Sequence, residues 1–321
     1  MPSHNSPKIV FFGTPEFAAT ILRHLLNEGY DIAAVVTTPD KPSGRGRKVT
    51  MSDVKRVAQE KEIPLLQPAK LKDPDFLRAL SSLRADLFIV IAFRMLPREV
   101  WSMPPMGTFN LHASLLPDYR GAAPIQRAIL GGESETGVTT FLLDEEIDNG
   151  RILLQRSIPI ASDETGGTLH DKLMELGKEL VPETIELLRE HGSALSYPQP
   201  EVDPAETKPA PKIFREDRLL SFTHSSALDI ERRVRAMSPY PGCIALWDRG
   251  GETYEIKVFA VETTRERLPA GEVRATSDGR LLVGTVTEAI SITSLQMPSK
   301  HRVSSTELLN GLHTEELGSF S

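Results

Sequence analysis

Asn110 and His112 stand two residues apart at the end of the apolar run Phe109-Asn110-Leu111-His112, and an Asp148-Asn149-Gly150 turn follows a second apolar run. Side chains alternate faces along a strand, so the amide and the imidazole are expected on one face. A carboxamide, an imidazole and a carboxylate brought together at strand ends suit acyl-type transfer. One can hold a developing oxyanion, one can move a proton, and one can orient the imidazole and stabilise its charge. Two polar residues ending a strand can equally be satisfied by nearby backbone groups. The residues after His112 shift the balance: Ser114-Leu115-Leu116-Pro117 and Arg120-Gly121-Ala122-Ala123-Pro124 form a constrained loop ahead of a helix at about 124–131. In open α/β sheets, ligands bind beyond the carboxyl ends of strands, where such a loop sits.

The elements that must carry these groups read as alternating strands and helices. Lys8-Ile9-Val10-Phe11-Phe12 is a buried-strand pattern ending at Gly13, and Thr14-Pro15-Glu16 reads as a helix start, with Thr14 able to cap and helical spacing over 17–28. A strand over Asp31–Thr37, helices near Met51–Lys61 and Asp73–Ser82, and a strand buried on both faces at Asp86–Ala92 continue the alternation. Strands near 107–112, 137–143 and 151–157 and a long helix over Gly167–Glu190 complete a mostly parallel, Rossmann-like α/β sheet. Residues 191–211 carry five prolines and little apolar periodicity, which predicts an extended linker between domains at 1–190 and 212–321. Beyond it, a helix over Asp229–Met237 precedes short strands near 243–247, 254–262, 271–276, 280–285 and 289–295. One helix with a run of short strands suggests a small β-barrel of the oligonucleotide-binding (OB) type.

Composition narrows the class. With 321 residues, 40% hydrophobic and 25% charged, the chain has room for two cores. The single cysteine, Cys243, excludes an internal disulfide framework and a cysteine zinc cage, and suits a reducing cytoplasm. MPSHNSPK lacks an apolar signal region and no apolar run approaches ~20 residues, so neither export nor a membrane partner is expected. Residues 1–208 hold 23 Lys+Arg against 29 Asp+Glu and the remainder 14 against 15, so contact with a polyanion must come from local basic patches. His170, His191, His224, His301 and His313 are scattered singly, which predicts no metal site.

The string NLHASLLPDYRGAAPIQ resembles the signature of the formyltransferases that use 10-formyltetrahydrofolate, and the wider pattern resembles their methionyl-tRNA branch. Phe12-Gly13-Thr14-Pro15-Glu16-Phe17-Ala18, Asp40-Lys41-Pro42-Ser43-Gly44-Arg45-Gly46-Arg47, Gln67-Pro68, Thr136-Gly137-Val138-Thr139, Asp148-Asn149-Gly150, Ala210-Pro211-Lys212-Ile213 and Arg235-Ala236-Met237-Ser238-Pro239-Tyr240-Pro241-Gly242 fit in order over nearly the whole chain. The resemblance implies catalytic roles for Asn110, His112 and Asp148, and folate contact by Ser114, Leu115, Leu116 and Pro117. It implies 10-formyltetrahydrofolate as a consumed donor with no permanently bound cofactor, and initiator methionyl-tRNA as partner; a monomer is the expected state. Three departures stand out. Ala92-Phe93-Arg94-Met95-Leu96-Pro97 replaces a longer stretch with glycine and bears on the pteridine pocket, while Ala113 and Ser299 stand where glycine is usual.

The basic stretch from Asp40 to Lys48, with Lys41, Arg45, Arg47 and Lys48 beside two glycines, fits a solvated surface loop as well as one inserted into a nucleic-acid end. The resemblance implies the latter, entering the acceptor end of the tRNA with Arg45 as reader. FFGTPEFA lacks Gly-x-Gly-x-x-Gly and places Glu16 where a pyrophosphate would need positive potential, so it reads as a strand–helix connection that could line an aminoacyl pocket. Arg232, Arg233 and Arg235, with Lys212, Arg215, Lys300 and Arg302, are either a solvated face or a patch holding a tRNA stem. Three rivals remain open: a small amine on a nucleotide or sugar as acceptor, water as acceptor, and an RNA-binding protein without catalysis.

Overall fold

The computed structural model describes residues 6–43, 48–203, 206–311 and 317–321. In chain order the first elements are β1 (Ile9–Gly13), α1 (Glu16–Asn27), β2 (Ile32–Val36), β3 (Lys41–Ser43), β4 (Lys48–Thr50), α2 (Asp53–Glu60), β5 (Leu65–Leu66), α3 (Pro74–Ser82), β6 (Leu87–Ile91), α4 (Arg98–Trp101) and β7 (Thr108–His112). Then come α5 (Pro124–Gly131), β8 (Glu135–Leu142), β9 (Ile152–Pro159) and α6 (Gly166–His191). Seven strands form one sheet in the order β5-β2-β1-β6-β7-β8-β9. Pairing is parallel from β5 through β7, and turns antiparallel between β7 and β8, with His112 opposite Thr139 and Asn110 opposite Phe141. The Rossmann-like, mostly parallel sheet read from the sequence is therefore present.

Its interior follows from continuous apolar strands. Every residue of β1 and β6 is buried, as expected for strands covered on both faces. On one face Val10, Phe12, Val36, Phe88 and Val90 pack with Phe76 and Leu80 of α3, and the Phe12 and Phe88 rings lie 5.3 Å apart. On the other, α6 comes so close that a Cβ on Gly177 would lie 2.7 Å from Leu111 Cδ2 and 3.2 Å from Ile21 Cδ1. Glycine at that helical position lets α6 approach β7, the strand that carries the amide and the imidazole. Helix starts are capped where the sequence supplies acceptors: Ser52 takes the Lys55 N–H, and Asp73 the N–H groups of Asp75 and Phe76. At α1, Pro15 occupies the cap position with no side-chain bond, whereas the sequence suggested Thr14.

The second group of elements comprises α7 (Ala227–Met237), β10 (Cys243–Arg249), β11 (Glu252–Thr263), β12 (Val273–Ala275), β13 (Leu281–Val283), β14 (Ile290–Gln296), β15 (Arg302–Ser304), α8 (Ser305–Asn310) and β16 (Ser319–Phe320). The order β12-β13-β14-β11-β10-β16, with β15 on β14, is antiparallel throughout. The Phe320 N–H donates to Gly271 O at 2.8 Å, joining the two ends into a nearly closed barrel. Its core centres on Trp247, stacked on Phe320 with centroids 5.2 Å apart; the indole N–H donates to Leu317 O at 2.6 Å. Cys243 is fully buried there, its Sγ–H directed at Arg233 O, and burial pushes its thiol up to about 12.

By compactness the chain divides into two units. One holds the residues through Gly121 with Glu135–Ile158 and His170–Pro209; the other holds Ala122–Ser134, Pro159–Leu169 and Ala210 onward. Among the described residues, no helix is long and apolar enough to cross a membrane.

Candidate active site

His112 ends β7 with its side chain buried, 6% exposed, and its ring is held from two sides. Nε2 lies 2.8 Å from Tyr119 O, an acceptor only, so Nε2 carries the proton and Nδ1 is the second nitrogen. Nδ1 stands 3.9 Å from Asp148 Oδ2, within ion-pair reach but beyond a direct hydrogen bond. That carboxylate oxygen also accepts the Gly121 N–H at 3.0 Å. Asp148 sits in the β8–β9 connection with φ +52°, a left-handed backbone that a non-glycine residue adopts at a cost of about 1–2 kcal/mol. Gly150, two residues on, allows the turn to close: a Cβ there would lie 1.6 Å from Leu142 O.

Asn110 precedes His112 by two on β7 and thus shares its strand face. Its Oδ1 is buried and has no hydrogen-bond partner, as is Thr14 Oγ1 just beyond β1. Buried polar atoms are nearly always paired, so an unpaired one at a strand end is a place where a bound molecule can complete the bond. The two ends of a carboxamide exchange by a half turn, so one end of Asn110 is free to bond a substrate oxygen or nitrogen.

The loop after His112 is built inward. Thr139 Oγ1 donates to Ser114 O at 2.7 Å and accepts the Leu116 N–H at 3.2 Å, while Gln155 Nε2 donates to Leu116 O and to Thr139 Oγ1. The Ser114 hydroxyl donates to Asp118 O, and the Leu116 side chain packs on Phe141 and Ile152. Leu115 and Pro117 stay half-buried. Pro117 lines a cleft of about 530 Å³ with Arg120, Asp144, Asn149, Arg151 and Gln199. A Cβ on Gly137 would lie 2.1 Å from Arg156 O and 2.6 Å from Leu115 Cδ2, which requires glycine beneath this loop.

The stretch after β6 takes a distinctive form. Ala92, which opens the stretch where the resemblance leads one to expect a glycine and an extra residue, has φ +46°, and Ser299, at a position where glycine is expected, has φ +61°. Both residues adopt the left-handed backbone that glycine takes most readily. The Arg94 guanidinium donates to Ala69 O at 3.0 Å and to Pro68 O, and stacks on Phe93 at 5.6 Å; burial lowers its pKa. Arg94 thereby ties the end of β6 to the loop after β5.

Of the basic stretch, Arg45 and Arg47 lie outside the described residues. Lys41 and Lys48 belong to the antiparallel hairpin β3–β4, with Ser43 opposite Lys48. Its base is anchored at Asp40, whose carboxylate accepts from Lys55 Nζ at 2.6 Å and from Gln67 Nε2 at 3.0 Å. The bonds from Lys55 and then Gln67 hold Asp40 below the usual carboxylate range. In the barrel unit, the structure uses most of the cations read as a patch. Arg233 donates to Asp217 O and Leu219 O; Arg235 binds Glu231 and Glu164 O; Arg215 binds Glu255; Arg302 lies 4.6 Å over Phe259. Arg232 lies against Gly132, where a Cβ would approach its guanidinium carbon to 2.6 Å.

Residues 7–185 match the family model described as formyl transferase, and residues 212–313 that of the formyl transferase C-terminal domain. The chain belongs to the formyl transferase family. It is 45% identical over 313 residues to a methionyl-tRNA formyltransferase of Bacteroides fragilis, covering 96% of both chains. It is 44% identical to that of Flavobacterium psychrophilum, over 96% of this chain and 97% of the relative. Among solved structures, HypX from Aquifex aeolicus in complex with tetrahydrofolic acid superposes with a TM-score of 0.65 at 21% identity. The match covers 95% of this chain and 47% of HypX, so the chain spans about half of that protein's length. An N-formyltransferase from Helicobacter canadensis gives 0.65 at 18% identity, over 91% and 99% of the two chains. These two share the fold.

Sequence spacing named the amide, the imidazole and the carboxylate, but missed what holds them. The Tyr119 carbonyl and the Gly121 N–H are backbone groups, and no residue type advertises them. Gln199 lies 51 residues from its partner Asp148.

Proposed function

We propose that this formyltransferase moves the formyl group of 10-formyltetrahydrofolate to the α-amino group of methionine esterified to initiator tRNA. The match to methionyl-tRNA formyltransferases along both matched domains, at 45% identity, carries the reading. The neutral amine attacks the formyl carbon, a new N–C bond forms, and the carbonyl oxygen becomes negative. Asn110 stabilises that oxygen through its amide N–H. His112 presents Nδ1 to the reacting centre, since Nε2–H is held by Tyr119 O. Asp148, 3.9 Å from Nδ1, stabilises the imidazolium and helps to pass the amine proton through water to the folate nitrogen, which leaves protonated as its bond to the formyl carbon breaks. Leu115 and Pro117 border the donor, with Ser114 and Leu116 shaping the loop from within.

In this reading Lys41 and Lys48 of the β3–β4 hairpin, with Arg45 and Arg47 between them in sequence, engage the acceptor end of the tRNA. The folate is consumed at each turnover rather than held permanently, and the enzyme works as a monomer in the cytoplasm, where Cys243 meets no oxidant. Domain limits of 1–190 and 212–321 follow from the same reading. The test is incubation with formyl-labelled donor and charged initiator or elongator tRNA. Label on the methionine of the initiator supports the proposal; label released as formate, or appearing on a small amine instead, refutes it.

A further inference from the structure

We propose that Gln199 is a positioning residue for Asp148, a role that rests on the reading of Asp148 as the partner of His112. Gln199 follows α6, in the proline-rich stretch that the sequence presented as a linker. Its Nε2 donates to the carbonyls of Asp148 and Gly150 at 2.8 and 2.9 Å, gripping both ends of the Asp148-Asn149-Gly150 turn. Its Oε1 accepts from Arg120 Nε and Nη2 at 3.1 and 2.6 Å. Arg120 immediately precedes Gly121, whose N–H holds the Asp148 carboxylate. One carboxamide therefore joins the turn that carries the carboxylate to the loop that orients it. Only Asn and Gln side chains offer two donors and an acceptor in one plane, and Gln199 uses all of them.

The same stretch supports the imidazole. Lys208 O accepts the Tyr119 N–H at 2.6 Å, and Tyr119 O in turn faces His112 Nε2. Its start is fastened to β9, with Tyr197 and Ile152 exchanging backbone hydrogen bonds at 2.8 and 3.0 Å, and Arg151 Nε donating to Ser196 Oγ at 2.9 Å. Residues on both sides of the imidazole–carboxylate pair thus depend on a segment remote in sequence. The left-handed backbone of Asp148 is where such a clamp matters, because releasing the turn lets the carboxylate swing from Nδ1. Misplacement by about 1 Å costs up to ~10²-fold in rate.

The experiment compares Gln199→Met, which keeps the length and removes every bond, with Gln199→Glu, which keeps an acceptor for Arg120 and loses both donors. Both should lower kcat by about 10- to 100-fold while KM for donor and tRNA stays within about threefold. Melting curves accompany each variant, and Gln199→Glu carries the test if Gln199→Met fails to fold. In an Asp148→Asn background, Gln199→Met should add less than about threefold, because the two act through one group. Wild-type kcat in Gln199→Glu, or the same fold loss in both backgrounds, overturns the proposal. Full turnover in Asp148→Asn alone would instead remove the reading of Asp148 beneath it.

Discussion

Two polar clusters in this molecule have opposite internal economies. Around His112, one imidazole nitrogen is tied to a backbone carbonyl, the other stands apart from a carboxylate, and a neighbouring amide keeps an unpaired buried atom. Along α7, Arg233 and Arg235 are bound to carbonyls and a carboxylate of their own unit, and Arg215 pairs with Glu255. The first cluster is held in place yet incompletely satisfied, which is what the proposed chemistry requires of it. The second has its bonds made, to groups of its own unit. A count of charges in the sequence would rank the second higher as a functional surface; bonding capacity ranks the first.

Substitutions can break or sharpen that contrast. The largest effect is expected at the first cluster: Asn110→Ala or Asp148→Asn should lower turnover by about 10²–10³-fold with folding preserved, measured as formyl transfer to charged initiator tRNA. Wild-type rates would place the chemistry elsewhere. Next, Arg45→Ala should lower activity with charged tRNA by about 10- to 100-fold and leave folate binding nearly unchanged; equal losses in the two assays would remove Arg45 from tRNA recognition.

At the second cluster the loss should appear in stability rather than rate. Arg235→Met should cost about 1.5–3 kcal/mol in denaturant unfolding, since its charged hydrogen bonds are largely shielded from solvent, with kcat retained. A drop in kcat without a drop in stability would return α7 to the functional surface. The smallest effect is pH-dependent. The Phe214 N–H and Arg127 hold Asp217 below the ordinary aspartate value of 3.8, so its stabilising contribution is complete above that value and is lost as pH falls through the lower folded one. Asp217→Asn should lower Tm at pH 7, and the gap to wild type should narrow below pH 3.8. A gap constant with pH would show that the carboxylate charge contributes nothing.

Much of the sheet was legible because buried strands leave a strong trace: the stretch Asp86–Ala92 can hardly be anything else, and β6 occupies its centre. Period-two placement likewise located Asn110 and His112 on one face. The reversal between β7 and β8 was not legible, since an apolar strand reads alike in either direction. Nor was the hairpin at Lys41–Ser43 and Lys48–Thr50: Lys41-Pro42-Ser43 has little strand preference, and Val49-Thr50 is too short a run to stand out beside a basic stretch. The short α4 and α8 offer too few residues for a period to emerge. Gln199 shows the deeper limit: a glutamine among prolines carries no local mark of the backbone carbonyls it will meet after folding.

Cys243, sealed in the barrel core as a protonated thiol, leaves the protein without a reactive sulfhydryl at neutral pH. A cysteine introduced at an exposed position, such as Met95, would then be the sole target for a maleimide fluorophore, and no background mutation would be needed. Encounters with nucleic acid could be followed optically on a chain that differs from the native one at a single position.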